Sequence, residues 1–527
     1  MSSPAQHLAQ PLAASLVQSV DWLAIAPPLL AAVVALVVLV ADLFLADARK
    51  PLLGRLSVAG LAASTALLLP LRDGDRSTFC LTGDAHACSY TADRFTLVIQ
   101  FLVLGGALLA ALLSVTALKD ARGRLPEGEF WFLLLSSAAG AALLPASRDL
   151  ATLVVALEVA SLPAFALVGI RHGDRRSAEA ALKFFLSSVT ATAVSLMGIS
   201  FLYATTGTLY LTRIADRIQH VDGQFHTLAQ TGVVLTLVGF AFKTAAVPFH
   251  FWVPDTYIGA PLPIAAYLSV VGKAVGFSGL ILVTVVGLPS YADVWGPALA
   301  ALAALTMTVG NVGALRQQAT RAYSAVRLLA WSSVGQAGYL LVPIAAAAYT
   351  DDAEHAVGST VAYALMYAAV NLGAFAVAAL VGRTSPRNRL TDYRGLHARH
   401  PLSALLLAFF LLCLAGLPPG VIGLFAKVTV FSAAVDAGLG WLAVVMAVNV
   451  VIALYYYLRW TALLFRAPEG EPETETAGGT DPGTEGAPVR HRVPAPLTVA
   501  ITLTAALGLV LSGAPQLILR FTDTALF

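Results

Sequence analysis

The chain has 527 residues, 58% hydrophobic and only 12% charged, against about 25% charged in an ordinary soluble domain. Its formal net charge of +2 carries little information by itself, and no nucleic-acid partner is expected. Apolar residues fall in long runs such as VVALVVLV (Val33 to Val40) and LVLGGALLAALL (Leu102 to Leu113), within stretches near the roughly 20 residues that span a bilayer, and alternation at period two is absent, so a soluble domain and a membrane barrel are both excluded.

Fourteen helical spans are expected. The first, 22–44, is too long for the apolar core of a cleavable signal and has acidic residues at its far end. Next come 52–71 and 94–118, with an outside loop between them. That loop, FCLTGDAHACSY, carries Cys80 and Cys88 eight residues apart, either as a disulfide on an oxidising face or as two free thiols. Spans 129–146 and 150–170 follow, the second holding Glu158 in ATLVVALEVASLPAFAL. Span 178–203 opens near Lys183. Spans 228–250 and 257–287 carry Lys243, His250 and Lys273, with Pro248 and Pro254 breaking the helix beside Lys243. Then come 297–315, 325–349 and 357–382. Span 402–433 holds Cys413, which reads as a packing residue, and is interrupted by Pro418, Pro419 and two glycines before Lys427. Span 438–465 is followed by an acidic, Gly/Pro-rich stretch, 467–494, read as a disordered cytoplasmic linker. Span 495–519 closes the series. Trp131, Tyr455, Tyr456 and Tyr457 lie near span ends and read as interface anchors.

The positive charges sort by residue type. Of 32 Lys and Arg, 21 fall in one set of alternate loops and 7 in the other, which makes the first set cytoplasmic. An even number of spans then puts both termini outside a cell membrane. The remaining four are all lysines, Lys183, Lys243, Lys273 and Lys427, although the chain has only six lysines. Every arginine lies in a loop or at a helix end. Arginine cannot lose its proton in a protein, whereas a desolvated lysine can, because burial lowers a lysine pKa by up to about 3–5 units.

A charge at the bilayer centre costs about 2.5–3.5 kcal/mol on insertion scales, so such a residue is paired or lines a hydrated path. Glu158 is the one mid-span carboxylate, and one glutamate cannot pair off several lysines. The surplus favours a proton relay over a structural ion pair. Lys183 either joins that relay or snorkels to the inner face. His250 either shuttles protons or ties down the broken helix by a hydrogen bond. Ser332, Ser333 and Gln336 in LLAWSSVGQAGYLL serve as helix–helix glue or hold water. No phosphate loop, CxxC pair or nucleophile elbow occurs, so redox or ATP chemistry is expected on a partner.

Two broken helices, one in each half of the chain, are the mark of inverted repeats. The stretches AFKTAAVPFHFWVPDTYIGAPLPIAAYLSVVGKAVGF, VRLLAWSSVGQAGYLL and FLLCLAGLPPGVIGLFAKVTVF, followed by YYYLR, resemble the antiporter-like subunits of complex I, the respiratory NADH–quinone oxidoreductase. PDTYIGAPLP and the GLPP…K…VF arrangement look most like the subunit N branch. The resemblance covers about 129–466 well and the flanks by topology.

The resemblance implies an all-α polytopic fold of fourteen helices with two inverted five-helix repeats and discontinuous seventh and twelfth helices. Its domains would be 1–128 (three N-terminal helices), 129–296 (first repeat), 297–466 (second repeat), the 467–494 linker and 495–527. It implies proton translocation driven by electron transfer elsewhere, through Glu158, Lys243, Lys273 and Lys427, with Glu158 modulating Lys243. It implies no cofactor in this chain, with NADH, FMN, iron–sulfur clusters and quinone on partner subunits. The expected partners are the antiporter-like subunit M, the small subunits K and J, and the lipid bilayer. Gln336 stands where many relatives carry histidine, and Ile258 where glutamine is usual. The alternative is a subunit of a multi-subunit cation/proton antiporter, which would need an ion site with several oxygen ligands. The mid-span carboxylates are too few for that. A non-transporting scaffold would leave four lysines in apolar sequence without a use.

Overall fold

The computed structural model describes residues 20–81, 83–121, 123–467 and 493–527. Most of the 467–494 linker therefore lies outside the described residues. Among the described residues, thirteen helices are long and apolar enough to cross a membrane. The first six are α1 (Trp22–Phe44), α2 (Pro51–Ala66), α3 (Arg94–Ala121), α4 (Glu127–Leu143), α5 (Leu150–Val168) and α6 (Arg175–Thr206). The seventh expected span is divided into α7 (His226–Thr244) and α8 (Trp252–Gly259). Then come α9 (Leu262–Gly287), α10 (Ala292–Leu315), α11 (Ser324–Ala346) and α12 (Ala353–Thr384). The twelfth expected span is also divided, into α13 (Pro401–Ala415) and α14 (Val421–Asp436). The series ends with α15 (Gly440–Phe465) and α16 (Ala495–Gly513). Helices α11 and α12 are almost wholly buried and form the centre, and α12 packs against α3, α11, α13, α14 and α16.

Both breaks share one local pattern. Helix α7 ends where Ala245 turns to φ +68°, and α13 where Gly416 turns to φ +85°. Each left-handed residue is followed three positions on by a proline, Pro248 or Pro419, which has no N–H to continue a helix. In each, the next N–H reaches back five residues, from Ala246 to the Ala241 carbonyl and from Leu417 to the Leu412 carbonyl, both at 2.9 Å. This is the bond that closes a helix C-terminus in the Schellman motif. Gly416 suits its φ, and a Cβ there would press on Lys427 Cδ at 3.1 Å. Helix α9 contains a π-helical stretch, Leu268–Gly272, directly before Lys273. Such bulges recur at functional sites.

The loop expected between the second and third spans is a hairpin. Strands β1 (Arg76–Leu81) and β2 (Asp84–Ala92) pair antiparallel, Cys80 faces Cys88, and the two are disulfide-bonded. The hairpin is clasped to the bundle. Tyr90 donates to the Ala24 carbonyl at 2.9 Å, the Arg148 N–H to the Ser89 carbonyl at 2.9 Å, and the Arg213 guanidinium to Asp84 at 2.9–3.0 Å. Below it Arg148 is buried against Asp93 and donates to the Pro145 and Ser147 carbonyls. Arg148→Ala would strand the Asp93 carboxylate, and losing one partner of a buried pair costs about 3–5 kcal/mol. The expected result is a clear drop in the thermal midpoint of the purified complex. An unchanged midpoint would show that the clasp is dispensable.

Candidate proton-relay site

The lysines expected in mid-membrane are inside the bundle. Lys243, Lys273 and Lys427 are 5%, 2% and 4% exposed. Their surroundings differ.

Lys243 sits one residue before the end of α7. Its ammonium donates to Ser188 Oγ at 2.8 Å and faces the rings of Phe165, Phe184 and Phe242 at 5.0, 5.3 and 5.5 Å from their centroids. Aromatic faces attract a cation while keeping water away. Trp252, the first residue of α8, stacks on Phe184 at 4.3 Å and donates its indole N–H to the Phe242 carbonyl at 3.2 Å. The second half-helix thus caps the first and closes the aromatic cage. Across the break, the Val247 N–H donates to Thr306 Oγ1 at 2.9 Å.

Glu158 is half-buried on α5 and accepts from Thr192 Oγ1 at 2.7 Å. Among the described residues no carboxylate lies within 4.0 Å of Lys243. The two are organised by α6. Ser188 and Thr192 are four residues apart and so share a face, one holding the lysine and the other the glutamate. Beside Lys243 lies a cavity of about 20 Å³ lined by Ser137, Phe184, Trp252 and Tyr267 among others, with room for about one water. Tyr267 and Ser137 share a hydrogen bond of 2.8 Å there.

Lys273 follows the π stretch of α9. Among the described residues its ammonium makes no hydrogen bond and no ion pair. One turn earlier, Ser269 accepts from Asn371 Nδ2 at 2.7 Å, and its carbonyl accepts from Tyr367 at 3.1 Å. Tyr367 shares a hydrogen bond of 2.8 Å with Ser333. Along α11, Gln336 accepts from Tyr363 and donates to Tyr457 at 3.2 Å, and Tyr457 also bonds Ser332. Tyr363 stacks on Tyr339 at 5.9 Å, and the Tyr339 ring lies 5.5 Å from the Lys427 ammonium. Polar groups therefore line the interior between Lys273 and Lys427. Ser332, Ser333 and Gln336 are part of this line and join α11 to α12 and α15.

Lys427, on α14, reaches back across the second break. Its ammonium donates to the Leu414 and Ala415 carbonyls at 2.9 and 2.8 Å. These are end carbonyls of α13, where unpaired acceptors and the helix dipole favour a cation. Each break is thus capped by a side chain of its second half, Trp252 or Lys427.

The other two candidates lie apart from this core. Lys183 is half-exposed on α6 and pairs with Glu179 at 2.8 Å and Asp255 at 2.9 Å, and Asp255 also faces Arg327 at 3.8 Å. His250 lies in the α7–α8 break, half-buried, packed on Trp331 at 5.5 Å.

Three aromatic residues expected at the interface are elsewhere. Trp131, Tyr456 and Tyr457 are buried, and only Tyr455 is exposed. Tyr456 donates to Asn311 Oδ1 at 2.9 Å, so these tyrosines are drawn inward by buried acceptors. Sequence reasoning also missed Ser188, Thr192, Tyr267, Tyr363, Tyr367 and Asn371. The Ser188 and Thr192 pair has a sequence signal, two hydroxyl residues at helical spacing in an apolar run.

Residues 147–453 match the family described as NADH:quinone oxidoreductase/Mrp antiporter, transmembrane. The chain is 76% identical over 515 residues to NADH-quinone oxidoreductase subunit N 2 of Streptomyces griseus, covering 98% of this chain and 96% of that one. A chain of respiratory complex I from Thermus thermophilus superposes with a TM-score of 0.73 at 31% identity, covering 94% of this chain and 98% of that one. A chain of the Mrp complex from Dietzia shares the fold, with a TM-score of 0.79 at 22% identity over 95% and 96% of the two. The chain belongs to this family and, within it, to subunit N of NADH–quinone oxidoreductase, an antiporter-like, proton-translocating membrane subunit of complex I.

Proposed function

We propose that protons cross this subunit by a relay from the Glu158–Lys243 pair through Lys273 to Lys427. The observation that carries it is the burial of three lysines, with hydroxyl, amide and tyrosine groups lining the interior between Lys273 and Lys427 at the second helix break. A protonated Lys243 is stabilised by the Glu158 charge, Ser188 and three ring faces. Withdrawing or neutralising Glu158 removes one of these supports and releases the proton toward Lys273, whose ammonium has no hydrogen-bond partner among the described residues. Lys427 receives it against the α13 carbonyls. Opposing a membrane potential takes about 2.3 kcal/mol per charge per 100 mV, under two pKa units at about 1.4 kcal/mol each.

In this reading the shared break geometry marks two inverted five-helix repeats, 129–296 and 297–466, preceded by three helices in 1–128 and followed by the last in 495–527. His250 and Lys183 lie at the edge of the relay. Lys183, tied to Glu179 and Asp255, sets the inner rim of the first repeat. NADH, FMN, the iron–sulfur clusters and quinone belong to partner subunits, and subunits M, K and J are the neighbours in the membrane arm. The loops rich in arginine face the cytoplasm, and both termini lie outside the cell membrane.

Glu158→Gln tests the coupling of the pair. It preserves shape and the Thr192 contact but removes the charge. Proton pumping in vesicles driven by NADH is expected to fall by about tenfold, the effect of roughly 1.4 kcal/mol on a rate, with the complex still assembled. Unchanged pumping would mean that Glu158 only braces α5 against α6.

A further inference from the structure

A cleft of about 930 Å³ opens at the arginine-rich rim, and its wall includes Tyr257, whose hydroxyl lies 3.4 Å from Ser333 Oγ on the polar line. The ends of α3 and α12, the start of α16 and the loops after α5, α8 and α10 form its walls. Its volume is in the range of small-molecule sites. The wall carries Lys119, Arg124, Arg171 and Arg383 against Asp120 and Asp174. Arg383 is neutralised by Asp120 at 2.7 Å, and Arg171 faces Asp174 at 3.9 Å. Lys119 and Arg124 are exposed and make no ion pair among the described residues. A second feature points inward. Thr116 is 6% exposed, lines the cleft, and its hydroxyl has no hydrogen-bond partner. The floor is apolar, with Leu113, Leu262 and Leu497.

We propose that this cleft binds the phosphate of an anionic phospholipid headgroup between Lys119 and Arg124, with Thr116 donating to it and the lipid's apolar part on the floor. Unpaired cations at the rim, an orphan hydroxyl within and an apolar base together match an amphiphilic anion. Basic pockets between transmembrane helices on the cytoplasmic side take such headgroups, and the placement of this rim rests on the bias of Lys and Arg among the loops. A phosphate free in solution would use the same cations but leave the apolar floor unused.

The test uses the purified complex stripped of lipid in neutral detergent. Wild type, the double variant Lys119→Gln/Arg124→Gln and the single variant Thr116→Val are titrated with short-chain phosphatidylglycerol. Bound lipid is counted by native mass spectrometry. The double variant is expected to lose one saturable phosphatidylglycerol site, with affinity there weakened about thirtyfold, as removal of two surface cations implies. Thr116→Val should weaken the same site about threefold, the effect of a modest hydrogen bond. Inorganic phosphate should not compete, and phosphatidylcholine should not distinguish the variants. Equal phosphatidylglycerol binding by wild type and variants overturns the proposal. So does displacement by inorganic phosphate, which would make free phosphate the ligand, or an equal loss of phosphatidylcholine. If the double variant fails to assemble, Thr116→Val decides.

Discussion

A complex carrying Lys243→Arg is expected to assemble normally and to pump protons at least about tenfold more slowly, with NADH oxidation falling alongside. Arginine keeps a positive charge and a donor for Ser188, and its planar group suits the faces of Phe165, Phe184 and Phe242. The cage therefore retains a cation. What is lost is release of the proton, since guanidinium stays charged at any accessible pH. Tenfold corresponds to about 1.4 kcal/mol, below the roughly 2.5–3.5 kcal/mol needed to place a charge at mid-membrane without support. Overpacking by the larger side chain could cost about 1–3 kcal/mol, so Lys243→Met, which adds no bulk, is the companion variant. Both should lose pumping. Vesicles of either variant that pump at the wild-type rate would mean that Lys243 is structural.

Lys427 is expected to divide the two roles more sharply. Lys427→Leu leaves the Leu414 and Ala415 carbonyls without their donor in a buried break. Each buried acceptor left unsatisfied costs about 1–3 kcal/mol, so the end of α13 should loosen and the amount of assembled complex on native gels should fall severalfold. Lys427→Arg supplies donors to the same carbonyls and should restore assembly. It should not restore pumping, which is expected to stay about tenfold down for the reason given for Lys243. Restored pumping in Lys427→Arg would place this residue outside the relay. Normal assembly of Lys427→Leu would show that the α13 carbonyls find other donors.

The charge sorting was legible because the membrane makes it expensive to hide an ion, so lysines in apolar runs stand out without any structure. The breaks were legible from Pro248, Pro418 and Pro419, whose missing N–H groups weaken a helix, although α1, α5, α10 and α11 run on through Pro27, Pro28, Pro163, Pro297 and Pro343. The extent of the breaks was not. The sequence predicts a seventh span up to 250 and the next from 257, whereas α7 stops at Thr244 and Trp252–Gly259 is the second half of the same span. The stop is set by Ala245 at φ +68°, a conformation uncommon for alanine and invisible in composition.

The tyrosines were misread for a different reason. A tyrosine near a span end has the same local signature whether its hydroxyl meets the membrane interface or a buried partner. Tyr457 turns inward because Ser332 and Gln336, four residues apart on α11, present acceptor and donor to it. That match involves helices more than a hundred residues apart in sequence, which no single segment encodes. The hairpin at 76–92 was hidden likewise: a short polar segment, held by Tyr90 and Arg213 to groups far along the chain.

The central claim is that protons travel along the buried line, and Lys273 tests it most directly. Its ammonium has no hydrogen-bond partner among the described residues, so Lys273→Met, nearly equal in volume, removes the charge without orphaning a neighbour. The measurement is protons moved per NADH oxidised in the same membrane vesicles, wild type against Lys273→Met. The relay predicts an assembled complex whose pumping falls by at least about tenfold, with NADH oxidation slowed as far as the two are coupled. Wild-type pumping at a wild-type ratio would contradict it and leave the buried lysines as parts of the scaffold.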